Sequence, residues 1–398
     1  QILYEATWDD AFNSPGYYQL AEIASQRGDH AVALDHVDRS LATNALDLKA
    51  LNLKAALLRK TGRPEEALEL ASATAAGDLL DFWSRNEVYL AHRDLGQRAR
   101  AAQSLTDLRQ LMRDEVHSYL ELGVDNGNAG AWDEAIEVVE RLVQANVSAS
   151  TYPLLYYYAG YASQQKGDKG EAARYFAQAK EMPSDYCFPF QLEMIGVLRA
   201  AMEHDPADAM SRLYLGNLLY DFQPEAAIEE WEKARDLGSR VATVYRNLGL
   251  GYERTLGDRE KSMEAYERAV ELDPTDARVI HELDAAYRNA QVPVERRLGM
   301  LQKHHETLVS DEYTMPLASE IELYTLIGEY DKALSLAKSH HFYIWEGGGG
   351  LHNSYVDANI LRGFELLKAN QPDEARPYFE AAADFPLNME AKKYYASG

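Results

Sequence analysis

The stretch Tyr245–Pro274, YRNLGLGYERTLGDREKSMEAYERAVELDP, decides how the rest of the chain is read. Apolar or small residues recur three and four apart at Tyr245, Leu248, Gly249 and Tyr252. A break follows at Gly257-Asp258, and the stripe resumes at Ser262, Tyr266 and Ala269. That periodicity predicts two amphipathic helices joined by a tight turn. Gly249 and Ala269 leave room where two helices cross, while Tyr252 and Tyr266 fill the space beside them. Pro274 lacks the N–H that a continuing helix needs, so it ends the second helix or opens the next.

Working outward, the small residue in the second helix recurs at Ala33, Ala67, Ala101 and Ala135, each 34 residues after the last. Glycines precede them at Gly28, Gly62, Gly96 and Gly130 with the same spacing. A fixed period of this length is the mark of stacked supersecondary units. Repeats are expected near 14–47, 48–81, 82–115, 116–149, 153–186, 208–238, 243–276, 277–310, 314–340 and 355–388, forming a single solenoid over 1–398. Irregular stretches interrupt them at 146–152 and 182–189, with a helix expected from Phe190 to Glu203 and an inserted loop at 341–354. The eighth unit is degenerate, with Pro293 opening a helix to Leu308, and Met389 to Tyr395 is expected to form a partial capping helix.

The two-helix, 34-residue unit resembles the tetratricopeptide repeat (TPR). The resemblance implies an all-α fold, a right-handed superhelix of about ten helix pairs whose first helices line a concave groove. It also implies a protein or peptide partner in that groove. Carried onto this chain, the groove receives Tyr18, Glu22, Trp83, Asn86, Leu90, Tyr157 and Tyr161. A chaperone-tail clamp would need Lys and Asn where unit one has Tyr18 and Glu22, which argues against it. A second resemblance lies in His340-His341-Phe342-Tyr343-Ile344-Trp345-Glu346-Gly347-Gly348. It is similar to a Trp-Glu-Gly-Gly segment in the C-terminal TPR region of large bacterial proteins with an upstream mutarotase-like β-rich domain. That likeness implies a link to carbohydrate metabolism, with an upstream domain or a glycan as a further partner.

Composition narrows the alternatives. With 64 acidic against 40 basic side chains, the net charge is -24, which disfavours nucleic acid and anionic lipid. Cys187 is the single cysteine, so neither an internal disulfide nor a thiolate metal cluster is available. There is no run of 18 apolar residues, so no membrane insertion is expected. The compartment is left open, with cytoplasm preferred, and a start at Gln1 reads as a piece of a longer protein.

The inserted loop mixes Gly347 to Gly350 with His340, His341, Trp345, Glu346 and His352, a combination suited to close approach with an aromatic face, a carboxylate and imidazoles. It reads either as an inter-repeat connection or as a contact loop. Glu346 is a candidate general acid or base with Asp357 as a speculative second carboxylate. Adjacent histidines point apart on a helix, no His-Glu-x-x-His is present, and neither a metal nor a cofactor is expected. Tyr157 and Tyr161, four apart, share a helical face and either pack between repeats or form an aromatic platform. Three functions compete: a binding scaffold that is not itself an enzyme, an accessory module of a carbohydrate-active enzyme, and a structural spacer. The register itself is testable, because Ala67→Trp should jam a close helix crossing and lower stability by roughly 1–3 kcal/mol in chemical denaturation.

Overall fold

The computed structural model describes residues 2–310, 312–342, 349–384 and 386–389, and among them every regular element is helical. The chain divides into two compact units, Gln1–Leu218 and Leu219–Gly398. The first unit opens with α1 (Ile2–Ala6) and then pairs α2 (Asp10–Gln26) with α3 (His30–Thr43), α4 (Leu48–Lys60) with α5 (Pro64–Gly77), α6 (Phe82–Asp94) with α7 (Arg98–Met112), and α8 (Val116–Asn128) with α9 (Trp132–Val143). A short 3-10 turn at Ser148–Thr151 leads to α10 (Pro153–Lys166) and α11 (Lys169–Glu181). The unit continues through α12 (Glu193–His204) into α13 (Ala209–Leu219). The expected helix from Phe190 thus starts at Glu193, because the preceding Phe188-Pro189-Phe190 segment is non-helical.

The second unit contains α14 (Pro224–Asp236), α15 (Ala242–Gly251), α16 (Arg259–Leu272), α17 (Ala277–Asn289), α18 (Val294–Lys303), α19 (His305–Ser310), α20 (Met315–Leu326), α21 (Tyr330–Ser339), α22 (Gly349–Lys368) and α23 (Pro372–Ala382). The eighth repeat's second helix is broken between α18 and α19 at His304, where a single helix to Leu308 is expected from sequence. His352 lies on α22, which begins at Gly349, inside the stretch expected to be loop. The expected capping helix falls beyond Met389, outside the described residues. The segment before it is tied down: Phe342 N–H donates to Asn388 O at 2.8 Å, and Asn388 Nδ2 donates to Ala337 O at 2.8 Å.

The repeat register follows from two kinds of small residue. Gly28, Gly62, Gly96 and Gly130 all adopt left-handed backbone, with φ between +66° and +84°, a region where a Cβ is strained. Ala33, Ala67, Ala101 and Ala135 are all buried in their helix pairs. Inside the pairs, glycine accepts an aromatic ring from the facing helix. A Cβ on Gly160 would lie 2.6 Å from Phe176, one on Gly249 2.7 Å from Tyr266, and one on Gly363 2.6 Å from Phe379. These interlocks fix how closely the two helices of a repeat approach.

The repeat quoted at the outset carries one extra residue. It is absorbed as a π-helical turn at Tyr252–Leu256, closed by the Gly257 N–H on Tyr252 O, which also accepts from the Asp258 N–H at 2.8 Å. Ser262 Oγ then donates to Gly249 O at 2.8 Å and pins the second helix to the first. The second unit's core runs through Tyr266, Ile280, Leu283, Leu301, Ile321 and Tyr355.

Two glycine substitutions separate packing from propensity. Gly160→Ala should lower stability by about 1–3 kcal/mol, because Phe176 has to shift. Gly196→Ala, in α12 with nothing within 4 Å of its Cβ position, should raise stability by about 0.5–1 kcal/mol. Denaturant midpoints of the two variants give the comparison, and equal shifts would contradict the interlock.

Candidate functional site

The first helices of the first four repeats converge. α2, α4, α6 and α8 pack in succession, and α8 returns to α2, so their inner faces close around one another. The return contact is short: Ser25 Oγ at the end of α2 donates to Ala129 O after α8 at 2.6 Å. Lys60 Nζ reaches Gly130 O at 3.3 Å, and Lys49 Nζ pairs with Asp125 at 2.5 Å.

Closure seals most of the residues assigned to an open groove. Glu22 is only 8% exposed, and Trp83, Asn86, Leu90 and Tyr157 are buried. Tyr18 and Tyr161 are half-buried. The groove expectation assumed a wide curvature, whereas here the fourth repeat meets the first and the inner faces cover each other. Tyr157 donates instead to Asp208 Oδ2 at 2.9 Å and sits edge-on to Tyr214 at 6.1 Å, so it is a core contact. Tyr161 faces the other way, edge-on to Trp132 at 6.0 Å, so the two tyrosines do not form one platform.

The closed wall is held by ions that sequence reading passed over. Arg59, with a side chain 4% exposed, donates to Glu87 Oε2 and to Glu134 Oε1, both at 2.9 Å, and Glu87 is fully buried. Arg141 Nη1 donates to Asn86 Oδ1 at 2.9 Å, and its Nη2 to Glu137 Oε1 at 2.9 Å. Asn52 Nδ2 donates to Asp81 at 2.8 Å. One signal was available in the sequence: Glu87 stands where the preceding repeat has the buried Leu53.

The electrostatics follow from burial. Burial pushes the Glu22 carboxyl up to about 7; hydrogen bonds from Tyr18 and Gln19 and the Lys49 charge pull against it, and Asp125 adds to the rise. Burial likewise raises Asp125 above the usual carboxylate range, opposed by Lys49. Burial works to raise Glu134 as well, but the Arg59 and Lys60 charges overcome it and hold it low.

Of the inserted-loop candidates, three histidines are among the described residues. His340 is half-buried, with Nδ1 within 2.9 Å of Ser339 Oγ, and His341 is exposed. His352 is half-buried on α22, and burial lowers its pKa. Trp345, Glu346 and Gly347 lie outside the described residues. Among the described residues no group of three His, Cys, Asp or Glu side chains is placed to hold a metal ion. No described helix is long and apolar enough to cross a membrane.

The stacked helix pairs define a helical-repeat protein. Two tetratricopeptide repeat family models match, at residues 18–78 and 242–276, one in each unit. Both matched stretches are thus similar to tetratricopeptide repeats. Among solved structures it is similar to YrrB, described as a TPR protein with an unusual peptide-binding site: 20% identity over 49% of this chain and 97% of that one, TM-score 0.35. It is also similar to MamA from Desulfovibrio magneticus RS-1, at 20% identity over 50% and 98% of the two chains, TM-score 0.29. Pseudomonas aeruginosa PilF matches at 16% identity over 56% and 90%, TM-score 0.31.

Burial of Glu22 makes a signed prediction. Its folded pKa is raised, so the folded state pays a penalty that is absent below the unfolded value near 4.5 and complete above about 7. Glu22→Gln should therefore leave stability near pH 4 little changed and raise it at pH 8, by on the order of 1–3 kcal/mol. Denaturation curves at the two pH values measure the difference, and a loss that grows from pH 4 to pH 8 would show that the carboxylate is needed in its charged form.

Proposed function

We propose that this chain is a binding scaffold for a protein or peptide segment, supplied by another molecule or by a domain of the same polypeptide. The observation that carries the reading is the first-helix face of the second unit, which stays accessible where that of the first four repeats is sealed. On α17, Arg278, Arg288 and Asn289 are exposed and His281, Glu282 and Ala285 half-exposed, three and four residues apart along one stripe. On α15, Arg246 lies beside them and pairs with Glu282 at 2.6 Å, and Glu253 accepts from Asn289 Nδ2 at 2.6 Å. The stripe presents donors and acceptors on rigid helices, with side chains already ordered by neighbours.

The guanidinium groups also stand out against the surrounding charge. A chain of net charge -24 that gathers Arg246, Arg278 and Arg288 on one face is suited to a segment with carboxylates among its side chains. Arg278 is further held over the Tyr313 ring at 5.6 Å, which presents it as a fixed donor.

A photo-crosslinking residue placed at Asn289 in the full chain tests the reading, with Arg376 on α23 as an exposed control. Specific adducts are expected at 289 and not at 376, and Arg278→Glu with Arg288→Glu should reduce them by about tenfold. Adducts of equal yield at both positions, or none at either, would favour a structural spacer.

A further inference from the structure

We propose that Tyr186, Phe188, Phe190 and Leu192, in the connection between α11 and α12, form a docking row for an amphipathic helix of another protein. That helix sets its apolar face on the row and brings lysine or arginine side chains to the flanks. The row belongs to the first unit and lies on a connection between helices rather than on a first-helix face.

The segment alternates. Tyr186, Phe188, Phe190 and Leu192 are all more than half exposed, from 57% at Phe190 to 88% at Tyr186, whereas Cys187 and Pro189 between them are buried. A period of two places the four side chains on one side of an extended run of chain. Apolar side chains scattered singly on a surface need no explanation, but a contiguous run of them marks an interaction site. From Tyr186 to Leu192 an extended chain reaches at most about 20 Å. About 14 residues of α-helix have the same length.

The row is held from beneath. Cys187 is 2% exposed, and burial pushes its thiol up to about 12, so it packs as a neutral anchor. Its N–H donates to Ser184 O at 3.2 Å. The Phe190 ring stands 4.9 Å from the His117 ring at the start of α8, which in turn meets the Tyr152 ring at 5.7 Å. A row fixed in this way is ordered before a partner arrives, which lowers the entropic cost of docking.

Charge selects the occupant. From Glu181 to Leu198 the chain carries three carboxylates, Glu181, Asp185 and Glu193, and no lysine or arginine. All three are exposed, and none forms an ion pair among the described residues. The neighbouring Lys180 is engaged with Asp205 at 2.6 Å. Cationic groups beside an apolar face therefore complement the segment. A second copy of this chain would set the same carboxylates against each other across an isologous contact. An anionic membrane is repelled by them, and a neutral one leaves them unmatched.

A fluorescent leucine–lysine amphipathic peptide of about 14 residues, titrated with the full chain and followed by anisotropy, tests the proposal. Phe188→Ser with Phe190→Ser should weaken its binding by about tenfold, while Val32→Ser, at an exposed apolar position on α3, should leave it unchanged. Asp185→Asn with Glu193→Gln should weaken it by about threefold or more and flatten its dependence on salt. Equal weakening by Val32→Ser, or none by the phenylalanine pair, would overturn the proposal. So would sedimentation showing that the chain alone self-associates through the row, or flotation with phosphatidylcholine vesicles that the phenylalanine pair abolishes. If circular dichroism shows the phenylalanine pair unfolded, Tyr186→Ser with Leu192→Ser, the two most exposed positions of the row, takes its place with the same outcomes. The substitutions fall in the first unit only, so this row can fail while crosslinking at Asn289 succeeds, and the reverse.

Discussion

Everything in this fold depends on how closely two helices of a repeat can approach. Where Gly160, Gly249 or Gly363 faces Phe176, Tyr266 or Phe379, the ring occupies the volume a Cβ would take. The pair is then held by contact on both sides of the ring, without polar groups that would need partners. The fifth, seventh and tenth repeats share this solution, and the first two put the small side chains of Ala21 and Ala55 at the same place, so that neighbouring repeats can stack. Stability in such an array accumulates from nearest-neighbour interfaces, which is why a long chain needs no single large core.

Stacking accounts for the helix pairs but not for the closed wall. Bringing α8 back onto α2 places Arg59, Glu87 and Glu134 in a region where charges lose most of their hydration. A buried ion pair gains little over apolar packing, and its removal on one side leaves an uncompensated charge. The triad is therefore better understood as specifying which helices meet than as a source of stability. The second unit shows the contrast: Arg297 and Asp284 form a buried bidentate pair between α17 and α18, within one repeat, while the Arg246–Glu282 pair between α15 and α17 remains near solvent.

Sequence reading recovered the repeats because the period is written in residues with a strict local requirement. A turn glycine with positive φ and an alanine at a helix crossing leave few substitutes, although Asn370, with φ of 61°, fills the turn position of the last repeat. The inner wall was not legible in the same way. Its key contacts join residues 75 and 104 positions apart, Arg59 to Glu134 and Ser25 to Ala129, and depend on curvature summed over several interfaces. Small differences in side-chain volume at each interface decide whether Glu22 and Asn86 face solvent or each other's helices. Tyr157 and Tyr161 illustrate the limit: their spacing identifies a shared helical face, but not that one ring turns toward Asp208 and the other toward Trp132.

The π-helical turn at Tyr252–Leu256 bears on how such arrays change length. A residue added to a connecting loop would move the next helix along its axis and misalign every ring with its glycine. Placed inside the helix, the same addition widens one coil of backbone, and Gly257 and Ser262 then resume the spacing seen between Gly28 and Ala33. A single-codon insertion can thus be confined to one turn, leaving the units on either side in register.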